Sequence, residues 1–242
     1  MQFLRDVHTE QNAQGVDYVE LRLSPRRFLA DGLSLDDFLD LTHLILGEVR
    51  RPYVRAVLLV NRDCPDETLG ACTEALSRLP STFVGVDLAG DERRHPDIDR
   101  FEAFFSQARA VGRGASVHAG EFGSAEHVWA AVDRLGAQRI GHGIAAASSR
   151  TLVDRLARDK IHVEVSLTSN EALGAVERLE THPVRTLLER GVPVSFNADV
   201  PLHTGRSFPE EISAAAALLG WTSGEVLALQ RRAMACRFGQ LD

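Results

Sequence analysis

Short β-branched and apolar runs alternate along this chain with longer stretches whose apolar residues recur at helical spacing. The short runs predict strands at 17–23 (DYVELRL), 54–60 (VRAVLLV), 82–88 (TFVGVDL), 114–118 (GASVH), 138–141 (QRIG), 161–166 (IHVEVS) and 192–197 (VPVSFN). Between them the helical pattern predicts helices at about 34–50, 66–79, 98–111, 124–135, 149–158 and 182–190, with two more at about 209–219 and 223–238. Ser34 opens the first of these as an N-cap, with Asp36 and Asp37 in its first turn. Strands alternating with helices read as βα units on a parallel sheet. No linker, shift of composition or repeat beyond that alternation divides the sequence, so a single domain over 1–242 is expected. A doubly wound sheet would carry GxGxxG or GxxxxGK[ST] after its first strand, and neither occurs, which favours a TIM-type (β/α)8-like barrel. Seven strands are predicted where such a barrel has eight.

Composition narrows the function classes. The chain has 242 residues, 44% hydrophobic and 25% charged, in the range of a globular domain with a sizeable core. Its 27 Lys and Arg against 34 Asp and Glu give a formal charge of −7, which argues against a nucleic-acid groove. Cys64, Cys72 and Cys236 fit neither a CxxC metal pair nor a disulfide framework, so a reducing cytoplasm is expected. The start has no leader pattern, and no apolar run approaches the ~18 residues of a membrane span.

In a parallel βα barrel the chemistry is built where the strands end, so the polar residues there are the candidates. They are Arg22 and Ser24; Asp87 with Gly90, Asp91 and Glu92; His118 with Glu121; His142; Thr168, Ser169 and Asn170; and Asn197 with Asp199. Two histidines and several carboxylates at such positions suit metal-assisted hydrolysis or general acid/base work. Taken singly, each also has a structural use, as a turn former, a helix cap or a hydrogen-bonded residue. His8, His43, His95, His127 and His162 are read as structural, and His182, before Pro183, as a stabiliser of its own loop.

The strings VELRLSP, VGVDLAGDE, SVHAGE, RIGHG, TSN, HP and NADVP follow one another in the order and spacing of the adenosine deaminase family, which the whole chain resembles. The resemblance implies a metal-dependent barrel, usually with zinc, that hydrolyses the 6-amino group of adenosine or a related amino-purine. It makes His118 a zinc ligand and Glu121 the acid that protonates the purine ring nitrogen. His142 becomes the base that orients or deprotonates the metal-bound water. Asp199 becomes both a ligand and an acceptor from that water, and Gly90 offers its N–H to the ring. Asp87 is placed with the substrate-binding residues. For Glu121 to be a proton donor at neutral pH it needs an apolar pocket that raises its pKa.

Three departures bear on function. No HxH pair, the source of two zinc ligands on the family's first strand, occurs in this sequence. His203 is a guess at a replacement. The second Asp of the family's DDP run is Val200, an apolar side chain expected to form a dry wall that cannot bond a purine nitrogen, and Ser166-Leu167 replaces Cys-Pro before TSN. A hydrolytic deaminase with weak or absent zinc is therefore the leading expectation. The alternatives are a degenerate binding or regulatory protein and a metal-free acid/base enzyme on the same barrel. A missing first strand further predicts a homo-oligomer or a partner chain that supplies it.

Overall fold

The computed structural model describes residues 2–47 and 51–240. Seven strands form one sheet in sequential order: β1 (Tyr18–Leu23), β2 (Tyr53–Asn61), β3 (Phe83–Ala89), β4 (Gly114–Ala119), β5 (Arg139–His142), β6 (His162–Val165) and β7 (Val194–Phe196). β1 to β3, and likewise β5 to β7, pair in parallel register. Sequential parallel strands joined by helices are the fold of a (β/α) barrel, here with seven strands. Each expected strand is present within two residues of its predicted limits at either end.

The expected helices form too, several of them shorter or continued by a 3-10 turn. Leu35–Gly47 is closed at its start by reciprocal bonds between Ser34 and Asp37, the Asp37 N–H reaching Ser34 Oγ at 3.0 Å. Its expected continuation over 48–50 lies outside the described residues. Four helices were not foreseen: Gln2–Ala13, Arg26–Ala30, Leu167–Ala172 and Pro201–Thr204. Ser169 and Asn170, read as caps for a turn, lie inside the third of these.

The chain packs as two compact units. The first comprises Met1–Gly90, Asp97–Ser116 and Arg237–Asp242. Its core is aromatic, with Phe83, Phe101, Phe104 and Phe105 fully buried. Phe238 lies across the glycines of β3 and β4: a Cβ at Gly114 would stand 2.1 Å from its ring, and one at Gly85 2.6 Å. The Phe238 N–H is held by Glu20 Oε1 at 2.8 Å. In the same unit Asp87 is fully buried and receives Arg22 Nε at 2.9 Å, while Arg22 Nη2 donates to Ser116 Oγ at 3.1 Å.

The second unit comprises Asp91–Pro96 and Val117–Cys236. Every residue of β5, β6 and β7 is buried, as parallel strands covered on both faces require. Leu135, Ile140, Leu152 and Phe196 are its large buried apolar side chains. Arg139 and Glu164, on neighbouring strands, form a buried ion pair at 3.3 Å. Among the described residues no single helix is long and apolar enough to cross a membrane.

Candidate active site

The second unit brings together His118, Glu121, His142 and Asp199, four of the residues singled out in the sequence. His118 lies next to last in β4. Gly120 follows at φ 71, and a Cβ there would meet Val128 at 2.6 Å, so only glycine lets the chain turn this closely. The turn is fixed by Glu92, a nearly fully buried carboxylate that accepts the N–H groups of Gly120, Phe122 and Gly123 at 2.7–2.8 Å. Those bonds present Glu121.

His142 ends β5 with φ 62 and Asp199 follows β7 with φ 55, a left-handed backbone that residues with a Cβ adopt at a cost. The rings of His118 and His142 lie 5.2 Å apart, tilted by 56°. Gly141 makes that approach possible, since a Cβ on it would stand 3.0 Å from His118 Cγ. His142 Nε2 lies 3.5 Å from Glu121 Oε2, and the Glu121 side chain is 15% exposed. Glu121 Oε1 is buried with no hydrogen-bond partner. Burial pushes the Glu121 pKa up to about 7, the His118 charge opposes that shift, and Asp199 and Glu92 add to it. A carboxyl so placed holds a proton near neutral pH and can release it to a bound base.

Asp199 is exposed, and its Oδ2 accepts Ser169 Oγ at 2.6 Å. Asn170, beside Ser169, donates from Nδ2 to His142 Nδ1 at 3.0 Å. The helix that carries both residues starts on Glu211. That fully buried carboxylate accepts the N–H groups of Leu167 and Thr168 at 2.5 and 3.3 Å and the Thr168 hydroxyl at 2.7 Å. Burial raises the Glu211 pKa. Leu167, where the family's pattern has proline, supplies one of these N–H groups, which proline lacks.

Asp87, expected to contact substrate, is instead fully buried in the first unit with Arg22 on its carboxylate. Gly90, also of the first unit, has φ 125, a conformation open to glycine. Val200 is 40% exposed, so it forms no dry wall. His203, the guessed extra ligand, is exposed on Pro201–Thr204. Glu211 went unremarked in the sequence although its position was readable there. Glu211, Ile212, Ala215, Ala216 and Leu219 form the buried stripe of the helix Phe208–Leu219, and a carboxylate within such a stripe needs partners.

The model of the adenosine deaminase family matches residues 2–242. The chain belongs to the adenosine deaminase family. An adenosine deaminase of Edwardsiella ictaluri is 34% identical to it over 230 residues, 93% of this chain and 68% of that protein. The crystal structure of an adenine deaminase from Arthrobacter aurescens superposes with a TM-score of 0.86 at 25% identity, covering 98% of this chain and 73% of that one. An amidohydrolase from Burkholderia ambifaria, solved with bound zinc, shares the fold with a TM-score of 0.76 at 21% identity, over 96% and 71% of the two chains. The relatives named adenosine deaminase are hydrolases of a C–N bond.

The donors for a metal can be counted directly. His118 and Asp199 are two, and among the described residues no group of three or more His, Cys, Asp or Glu could hold an ion. A catalytic zinc takes three protein ligands. The described residues therefore do not make up a zinc site by themselves.

Proposed function

We propose that this protein is a hydrolytic deaminase of adenosine or a related amino-purine, with Glu121 as its proton donor. The observation that carries the reading is the buried, partnerless Oε1 of a carboxyl whose pKa burial raises to about 7. Water adds to the ring carbon that bears the amine while Glu121 gives its proton to the adjacent ring nitrogen. The tetrahedral adduct then collapses: the amine takes up the proton released by the water and leaves as ammonia, the new hydroxyl returns a proton to Glu121, and a carbonyl remains beside the protonated ring nitrogen. Overall the amine plus water yields the carbonyl compound plus ammonia, with no redox change. A neutral acid avoids leaving negative charge on the ring during addition, which is why the raised pKa matters.

Asp199, with Oδ2 held by Ser169, accepts a hydrogen bond from the attacking water through Oδ1. His142 presents Nε2 on the Glu121 side. His118 and Asp199 enter this reading as two donors of a zinc site that needs at least one further ligand from outside the described residues. Val200 gives the purine no hydrogen bond, so a weaker preference for adenosine over other amino-purines follows. Ammonia release from adenosine and a panel of amino-purines tests the assignment. Release from at least one is expected, and none from any would overturn it.

A further inference from the structure

The hydrogen bonds behind His142 have only one consistent direction, and it starts at a group whose role is fixed. A backbone N–H always donates, and that of Val184 reaches His182 Nδ1 at 3.1 Å, so Nδ1 is the unprotonated nitrogen of that ring. His182 is 4% exposed, and burial pushes its pKa down to about 4, so the ring is neutral near pH 7 and its one proton sits on Nε2. Nε2 faces the side-chain oxygen of Asn170 at 3.2 Å and donates to it. That bond fixes which end of the Asn170 amide is oxygen, because the reverse setting would oppose N–H to N–H. The amide nitrogen therefore faces His142 Nδ1, at 3.0 Å, and Nδ1 must accept. Asn170 is fully buried, so no solvent competes for either end of its amide. A neutral His142 then carries its proton on Nε2, the atom 3.5 Å from Glu121 Oε2.

We propose that His182 is a positioning residue which, through Asn170, locks His142 as the Nε2–H tautomer, so that His142 faces the Glu121 side as a hydrogen-bond donor and not as a base. In the deamination reading, on which only the catalytic consequence rests, His142 then orients the attacking water or its developing oxyanion, and the proton taken from that water goes to Asp199 Oδ1 and from there to the departing amine. The relay also gives the HP motif a use beyond its own loop. His182 lies twelve residues past Asn170 in sequence, yet it decides which atom of His142 holds a proton.

Nitrogen-resolved NMR of the imidazoles in the full chain tests this, with His142 assigned by loss of its signals in His142→Gln. At a pH above the ordinary histidine range, wild-type His142 should show an unprotonated Nδ1 and a protonated Nε2. Asn170→Asp replaces the donor with an acceptor and should move the proton onto Nδ1. His182→Phe should give a mixture of tautomers, because the Asn170 amide is then free to turn over. His182→Gln, which can still donate to Asn170, should restore the wild-type pattern. A protonated Nδ1 in the wild type, or an unchanged spectrum in Asn170→Asp, would overturn the proposal. Should His182→Phe not fold, the wild-type and Asn170→Asp spectra still decide. All readings are made without substrate, so the expected tautomers in a protein that releases no ammonia would refute the deaminase assignment and leave the relay standing.

Discussion

The Nε2 of His142 and the Oε2 of Glu121 stand 3.5 Å apart, with the histidine almost wholly buried and the carboxyl nearly so. A carboxyl that keeps its proton near neutrality beside a ring nitrogen is an arrangement with a cost in stability as well as a use. The folded-state pKa of Glu121, about 7, lies above the ordinary 4.5, so the fold favours the protonated form. The penalty is absent below pH 4.5, grows as the unfolded chain ionises, and is complete above about pH 7, where it amounts to about 3 kcal/mol.

Glu121→Gln should therefore have two opposite effects. Turnover should fall at least ~100-fold, because the amide keeps the shape and loses the transferable proton. Stability above about pH 7 should rise by about 1–3 kcal/mol, because the amide has no charge to bury. Steady-state rates and urea unfolding of the two proteins check both. Wild-type turnover in the variant would place the proton donor elsewhere.

Acid should weaken the fold through two other buried rings. Burial lowers the pKa values of His162 and His182 from 6.5 to about 4. With the folded values below the unfolded ones, the unfolded chain takes up protons first as pH drops. Stability is full above 6.5 and is lost between 6.5 and 4. Each ring should cost about 2 kcal/mol between about pH 7 and about pH 5. Unfolding of His162→Gln over that range should show a shallower loss than the wild type.

Much of this site is legible before any coordinates, and the rest is not, for identifiable reasons. His118, Glu121, His142 and Asp199 all follow apolar runs that must be strands, so their convergence follows from the barrel's geometry. Glu211 is legible only once its spacing to Ile212, Ala215 and Leu219 is set above its nearness to a helix start, where an acidic residue needs no other explanation. The helix Gln2–Ala13 escapes notice because Leu4 is its one buried residue, too sparse a stripe to show a period. The part played by His182 depends on which atom donates to which, and sequence spacing carries no such direction.

Gly141→Ala should disturb the pair of histidines directly. The new Cβ would stand 3.0 to 3.2 Å from three atoms of the His118 ring, so the ring must move or the strand must give. A loss of about 1–3 kcal/mol is expected, together with a drop in any turnover. Gly70→Ala is the control: that glycine is within a helix with nothing within 4 Å of its Cβ position, and the change should stabilise by about 0.5–1 kcal/mol. Thermal melts of both variants settle the comparison.

From the strand order we propose that the chain assembles with a further strand. Among the described residues β1 pairs only with β2, and β7 only with β6. On β7 the Gln230 side chain already accepts the Phe196 N–H at 2.7 Å and donates to its carbonyl at 2.8 Å, so β1 is the edge expected to recruit another strand. Self-association, or capture of a segment that adds a strand, is expected in sedimentation at micromolar concentration. A monomer at every concentration would contradict it.

The most direct test of the deaminase assignment follows the oxygen. Amino-purine is incubated in water labelled with heavy oxygen, with wild-type protein and with Glu121→Gln, and the product is weighed by mass spectrometry alongside ammonia. One labelled oxygen on the carbon that lost the amine, matched by one ammonia and nearly absent with Glu121→Gln, is the expected result. Failure of wild-type protein to release ammonia or to incorporate label would contradict the account.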